Sequence, residues 1–183
     1  MAAHLSSTLV LLALALPLIC QAKNCPYPDG TKTKLFAKSC NTNDPIQPIS
    51  ITVQDDKGNI NYPVNVSRPI VIVAQSQNNY GKPINSLIAS VSLSAYGTFW
   101  CSWLNLPTFG LLSKLDGCNL GHNCPLNPGP LTLHQEVDLS AFASIIKALT
   151  SSYPYRLQIV LKENDDSSQK EVACIETEMV LAH

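Results

Sequence analysis

The chain has 183 residues, and its 12 basic and 13 acidic side chains leave a net charge of -1. Neither sign gathers into a long block, which argues against a nucleic-acid partner and against strong charge attraction to anionic membranes. Hydrophobic residues make up 45% of the chain and charged residues 14%, enough apolar material for one domain to bury roughly 70% of its unfolded surface.

The first element is the apolar run Leu9 to Ile19, too short to cross a bilayer comfortably, with small Cys20 and Ala22 at the positions a signal peptidase inspects. Residues 1–22 are read as a secretory signal cleaved after Ala22, and residues 23–183 as a single domain released outside the cell or into a lumen. Removing the signal takes Cys20 and leaves Cys25, Cys40, Cys101, Cys118, Cys124 and Cys174. An even count in an exported chain implies disulfides, although six cysteines admit fifteen pairings.

After Lys23 the pattern is one of short β-type runs broken by Pro, Gly and Asn. They include TKTKLFAKSC, PISITVQ and RPIVIVAQ, with the turns DDKGN and SQNNYGKP after the last two. Between the second and third lies Asn65-Val66-Ser67, a glycosylation sequon in a polar stretch suited to a surface site. In INSLIASVSLSAY, Leu87, Ala89, Val91 and Leu93 alternate with Ile88, Ser90, Ser92 and Ser94, the signature of a strand with one wet face. GPLTLHQEV, YRLQIVL and VACIETEMVL complete seven or eight strands, enough for two packed antiparallel sheets. One segment departs from this pattern: Leu139, Phe142, Ile145, Ile146 and Leu149 fall at helical spacing behind Asp138 or Ser140, predicting a short helix or ordered crossover near 139–149.

The stretch GTFWCSWLNLPTFGLL, residues 97–112, concentrates Phe99, Trp100, Trp103 and Phe109 with Leu104, Leu106, Leu111 and Leu112, and Pro107 and Gly110 prevent it from forming one regular element. It reads either as ordinary core or as a greasy loop at the mouth of an apolar cavity, meeting a ligand or a membrane. Next comes DGCNLGHNCPLNPG. Cys118, His122 and Cys124 resemble three zinc ligands, but a closed site needs a fourth, and exported cysteines are usually oxidised, so the spacing predicts a Cys118–Cys124 disulfide and no metal. No Gly-x-Ser-x-Gly elbow or phosphate-cradling glycine loop is present, and Glu176 and Glu178 alternate with apolar neighbours as a solvated strand face, not as a glycosidase pair. The expectation is a protein that is not an enzyme and uses no cofactor.

DGCNLGHNCPL, the order SSYPYRLQIVL then ACIETEMVL, and Cys25 soon after the signal together resemble the ML lipid-recognition family, which includes cholesterol carriers and ganglioside activators. The likeness is most specific from Asp116 onward and thin between Cys40 and Tyr96. It implies an immunoglobulin-like two-sheet antiparallel β-sandwich with an apolar cavity between the sheets. It implies the disulfides Cys25–Cys174 and Cys118–Cys124, which leaves Cys40–Cys101. It puts Phe109, Leu139, Tyr153 and Pro154 in the pocket, with Phe99, Trp100, Trp103 and Leu106 at its mouth. The implied partner is a sterol, phospholipid or glycolipid, with transient membrane or membrane-transporter contact, carried by a monomer that is secreted or lysosomal. The alternatives within the resemblance are a glycolipid-presenting activator of a lysosomal hydrolase and a lipid-recognition co-factor of an immune receptor.

Overall fold

A computed structural model describes residues 25–97, 101–148, 153–165 and 168–182; residues 1–22, read above as a signal, and Phe99, Trp100 and Leu149 lie outside the described residues. The strands are β1 (Phe36–Ser39), β2 (Ile46–Gln54), β3 (Val64–Asn65), β4 (Ile70–Asn78), β5 (Leu87–Gly97), β6 (Ser102–Asn105), β7 (Leu115–Asp116), β8 (Gly129–Val137), β9 (Tyr155–Asp165), β10 (Ser168–Met179) and β11 (Leu181–Ala182). A single 3₁₀ turn over Ser140–Phe142 leads into the helix α1 (Ala143–Ala148), where the helical spacing placed it.

The fold is an antiparallel β-sandwich. The larger sheet runs β1-β10-β9-β5-β6, with β7 also on β5; the smaller runs β2-β4-β8, and β3 and β11 form a short parallel pair. Alternation sorts the side chains as expected. Leu87, Ala89, Val91 and Leu93 of β5, Leu157, Ile159 and Leu161 of β9 and Ile175 and Met179 of β10 are buried. They share one core with Ile46 and Val53 of β2, Ile70, Ile72 and Ala74 of β4, and Leu133 and Val137 of β8. Each of these valine, leucine, isoleucine and methionine side chains withdrawn from water contributes about 1.5–3 kcal/mol. β2 is an edge strand, and its register shifts between Pro48 and Ser50, which turns Ile49 out to solvent. Pro48 lacks an N–H and is tolerated at such an edge and bulge.

Two expectations are corrected by the register. The disulfides are Cys25–Cys101, Cys40–Cys174 and Cys118–Cys124, with Cα separations of 5.3, 5.2 and 5.1 Å, so the pairings Cys25–Cys174 and Cys40–Cys101 do not occur. β1 pairs with β10 so that Ser39 faces Ile175, and the Cys40 N–H then donates to the Cys174 carbonyl at 3.2 Å, bringing those two sulfurs together. Cys101 follows the β5–β6 connection, where Cys25 lies 3.8 Å from the Gly97 carbonyl.

The second correction concerns Glu176 and Glu178, which are 7% and 0% exposed and not solvated. They stand on the outer face of the larger sheet, as alternation requires, but that face is covered. Phe36 and Lys38 of β1 sit opposite them, and Arg156 sits across from Glu178 on β9. Arg156 grips Glu178 through Nη2 at 2.6 Å and Nε at 3.0 Å and lies over the Trp103 ring, 4.2 Å from its centroid. Lys38 reaches Glu176 at 3.2 Å. Burial pushes the Glu178 carboxyl above its ordinary range, and Arg156 pulls it back.

Candidate functional site

At the edge of the larger sheet, beside β5, the chain departs from regular pairing. Residues 102–106 and 112–117 run antiparallel to β5. β6 pairs Ser102–Asn105 with Ser94–Gly97, Leu106 N–H donates to Leu93 O at 2.8 Å, Val91 N–H to Leu112 O at 2.7 Å, and β7 pairs with Ile88 and Ala89. Between the anchors Leu106 and Leu112 the chain leaves the edge. Pro107 offers no donor, and the excursion closes on itself through Leu111 N–H to Thr108 O (2.9 Å) and Ser113 N–H to Gly110 O (3.1 Å). Phe109 (φ 49°) and Gly110 (φ 78°) are consecutive left-handed residues. For Phe109 that conformation costs about 1–2 kcal/mol.

The excursion turns its apolar side chains outward. Phe109 is 80% exposed, Leu111 59% and Leu104, at the end of β6, 50%, while the anchors are half-buried Leu106 and buried Leu112. No acidic residue occurs between Asn105 and Leu115. Three large apolar side chains exposed on one sheet edge make this loop a candidate contact surface.

The pocket residues expected from the sequence are dispersed. Phe109 sits at the tip of this loop and not between the sheets. Leu139 is buried in the core with Phe142, Ile146 and Tyr155, whose hydroxyl donates to the Ile146 carbonyl at 2.8 Å. Half-buried Tyr153 stacks on Tyr27, centroids 5.8 Å apart, and the carbonyl of buried Pro154 accepts from Tyr96 N–H at 3.0 Å. Leu106 packs on the core beneath the loop. Trp103 lies on the outer face, edge-on to Tyr96 at 5.2 Å and under Arg156.

The motif DGCNLGHNCP fastens one sheet to the other. Asp116 Oδ1 accepts from the N–H groups of Cys118 and Asn119, both at 3.0 Å, which sets the turn. Gly117 N–H donates to Leu87 O of the larger sheet. On the other side Asn123 imitates a strand partner for β8: its Nδ2 donates to His134 O at 2.7 Å and its Oδ1 accepts from His134 N–H at 2.9 Å. The Glu136 N–H donates to Leu120 O. Gly121 is required because a Cβ there would overlap the His134 carbonyl. His122, with φ 51°, is exposed, and among the described residues no three His, Cys, Asp or Glu side chains are grouped to hold a metal ion. Asn123 escaped the sequence reading, although the spacing of Gly121 and Asn123 inside a short disulfide loop carried the signal.

Among the described residues two buried polar side chains face the core with an unpartnered atom, Gln135 Oε1 on β8 and Thr177 Oγ1 on β10. An unmet buried acceptor costs about 1–3 kcal/mol. At the other edge, Asn41 Nδ2 donates to both Asp44 Oδ1 (2.8 Å) and Glu171 Oε1 (2.9 Å). Burial, reinforced by the neighbouring Glu171 charge, pushes the Asp44 carboxyl up to about 6.

What these elements define is a disulfide-fastened two-sheet β-sandwich that displays an apolar loop at one sheet edge. No family model matches the chain, and no curated protein does. Among solved structures it is similar to a Niemann-Pick type C2 protein from Japanese carpenter ant, with 12% identity and a TM-score of 0.46 over 80% of this chain and 99% of that one. It is also similar to the C-terminal domain of wzt, with 6% identity and a TM-score of 0.43 over 88% of this chain and 83% of that one.

Proposed function

We propose that the chain is a secreted or lysosomal lipid carrier that holds the hydrophobic part of a sterol or other lipid between its two sheets and exchanges it at membranes. The observation that carries this reading is the loop with Phe109 and Leu111, exposed at its tip and rooted in the core at Leu106 and Leu112. Seating those two side chains in a bilayer interface recovers on the order of 3 kcal/mol, enough for reversible contact and too little for permanent anchoring. The loop leaves the same β5 edge whose inward residues line one wall of the sandwich, so a lipid passing between the sheets at this edge moves from bilayer to core along apolar surface.

Resemblance of DGCNLGHNCP and the strands after it to the ML family supports the same reading, as do three disulfides, which suit an oxidising compartment. Asn65 is exposed, and its Oδ1 accepts from Ser67 N–H and Oγ–H, so a glycan there fits a surface site on an exported monomer. Solvent exclusion, not chemistry, is the mechanism: the sheets screen the lipid and release it where the loop meets an acceptor membrane or transporter. Mass spectrometry of the organic extract of the purified protein tests this. A stoichiometric lipid is expected; protein that yields none and binds neither added sterol nor added phospholipid overturns it.

A further inference from the structure

Gln135 interrupts an otherwise aliphatic row on β8. On β8 the core-facing row is Leu131, Leu133, Gln135 and Val137, and across the ladder Gln135 faces Ile72, itself opposite Val53. The side chain is 3% exposed. Its Nε2 donates to the Glu136 carbonyl at 3.0 Å, and this fixes the amide's orientation, because only the NH₂ end can meet a carbonyl. Oε1 is thereby held in place as a buried acceptor, and it has no donor among the described residues. An aliphatic side chain would fill this position without leaving an acceptor unmet.

The geometry points to Gln135 Oε1 as the acceptor for a hydroxyl group on the bound lipid, which makes the ligand class a lipid alcohol in preference to a ketone, ether or fully esterified lipid. This assignment rests on the lipid-carrier reading above. Thr177, the other unpartnered core-facing group, has a hydroxyl that rotates and both donates and accepts, so it selects no ligand chemistry. Gln135, committed to accepting, does. The acceptor adds one hydrogen bond to what the surrounding aliphatic side chains contribute, so it sets preference among lipids of similar shape more than total affinity.

The test measures binding of the purified chain to two matched pairs, 5α-cholestanol against 5α-cholestan-3-one and hexadecanol against its methyl ether, by displacement of a fluorescent lipid. The wild type is expected to favour the alcohol of whichever pair it binds by about five- to tenfold. Gln135→Leu, and Gln135→Met as a second variant, are expected to bind both members alike while melting no lower than the wild type. Equal binding of the two members by the wild type, as an ordered water satisfying Oε1 would give, overturns the assignment, and so does a preference that survives in both variants. Displacement by none of the four probes from a chain that holds the fluorescent lipid overturns the assignment alone; a chain that binds neither the probes nor a fluorescent sterol or phospholipid overturns the lipid-carrier reading, and the assignment falls with it.

Discussion

Two loops leave the β5 edge within a few residues of each other, and they are built in opposite ways. Residues 116–124 are tied at every turn: Asp116 caps the first amides, the Cys118–Cys124 disulfide closes the ring, and Asn123 and Leu120 bond to β8 of the opposite sheet. Among the described residues, 107–111 bond only to one another and to the adjacent Ser113, place Phe109 in a left-handed conformation and hold their apolar side chains in water. The first loop holds the architecture together. The second is strained and exposed where nothing in the fold needs it to be, which is how recognition surfaces are usually built.

If that division is right, damage to the first loop lowers stability and damage to the second does not. The largest effect is expected from Gly121→Ala, because the new Cβ meets a backbone carbonyl and the loop must undock from β8. A loss of about 3 kcal/mol, on the order of 10 °C in melting temperature, is expected in thermal unfolding. A change under about 1 kcal/mol would show that the docking to His134 is dispensable.

A smaller effect is expected from acidity. Asp44 has its carboxyl raised to about 6 in the folded protein, so the native state holds a proton that the unfolded chain, titrating near 4, has released. Stability therefore rises as pH falls from 7 through about 6 toward 4, and falls as pH rises over the same window. Glu178, also raised, acts in the same direction. The melting temperature is expected to be about 3 °C higher at pH 5 than at pH 7, and Asp44→Asn, which imitates the protonated acid, should remove much of that difference. A melting temperature that falls on acidification contradicts this. The smallest effect on stability, within about 0.5 kcal/mol, is expected for Phe109→Ser with Leu111→Ser, since neither side chain is packed.

The same contrast shows how much was legible in the sequence. Alternation in Leu87 to Ser94 gave the strand and its faces, helical spacing gave the 3₁₀ turn and α1, and the spacing of Cys118 and Cys124 gave their disulfide, because each signal is local. Partners of Cys25 and Cys40 were not legible, since they depend on the β1–β10 register, a long-range fact. Alternation correctly put Glu176 and Glu178 on the outer face but could not show that β1, Arg156 and Trp103 cover it. For Phe109 the residues supported core or exposed loop equally, and only the excursion between two edge hydrogen bonds decides between them.

Whether the chain carries lipid and delivers it through the apolar loop is decided by intervesicle transfer of a fluorescent sterol or phospholipid. The wild-type chain should accelerate transfer, and the Phe109→Ser, Leu111→Ser variant should bind the same lipid while transferring it about tenfold more slowly. A wild-type chain that neither binds nor moves lipid would show that it is no lipid carrier, and a loop variant that transfers at the wild-type rate would show that the loop takes no part in delivery.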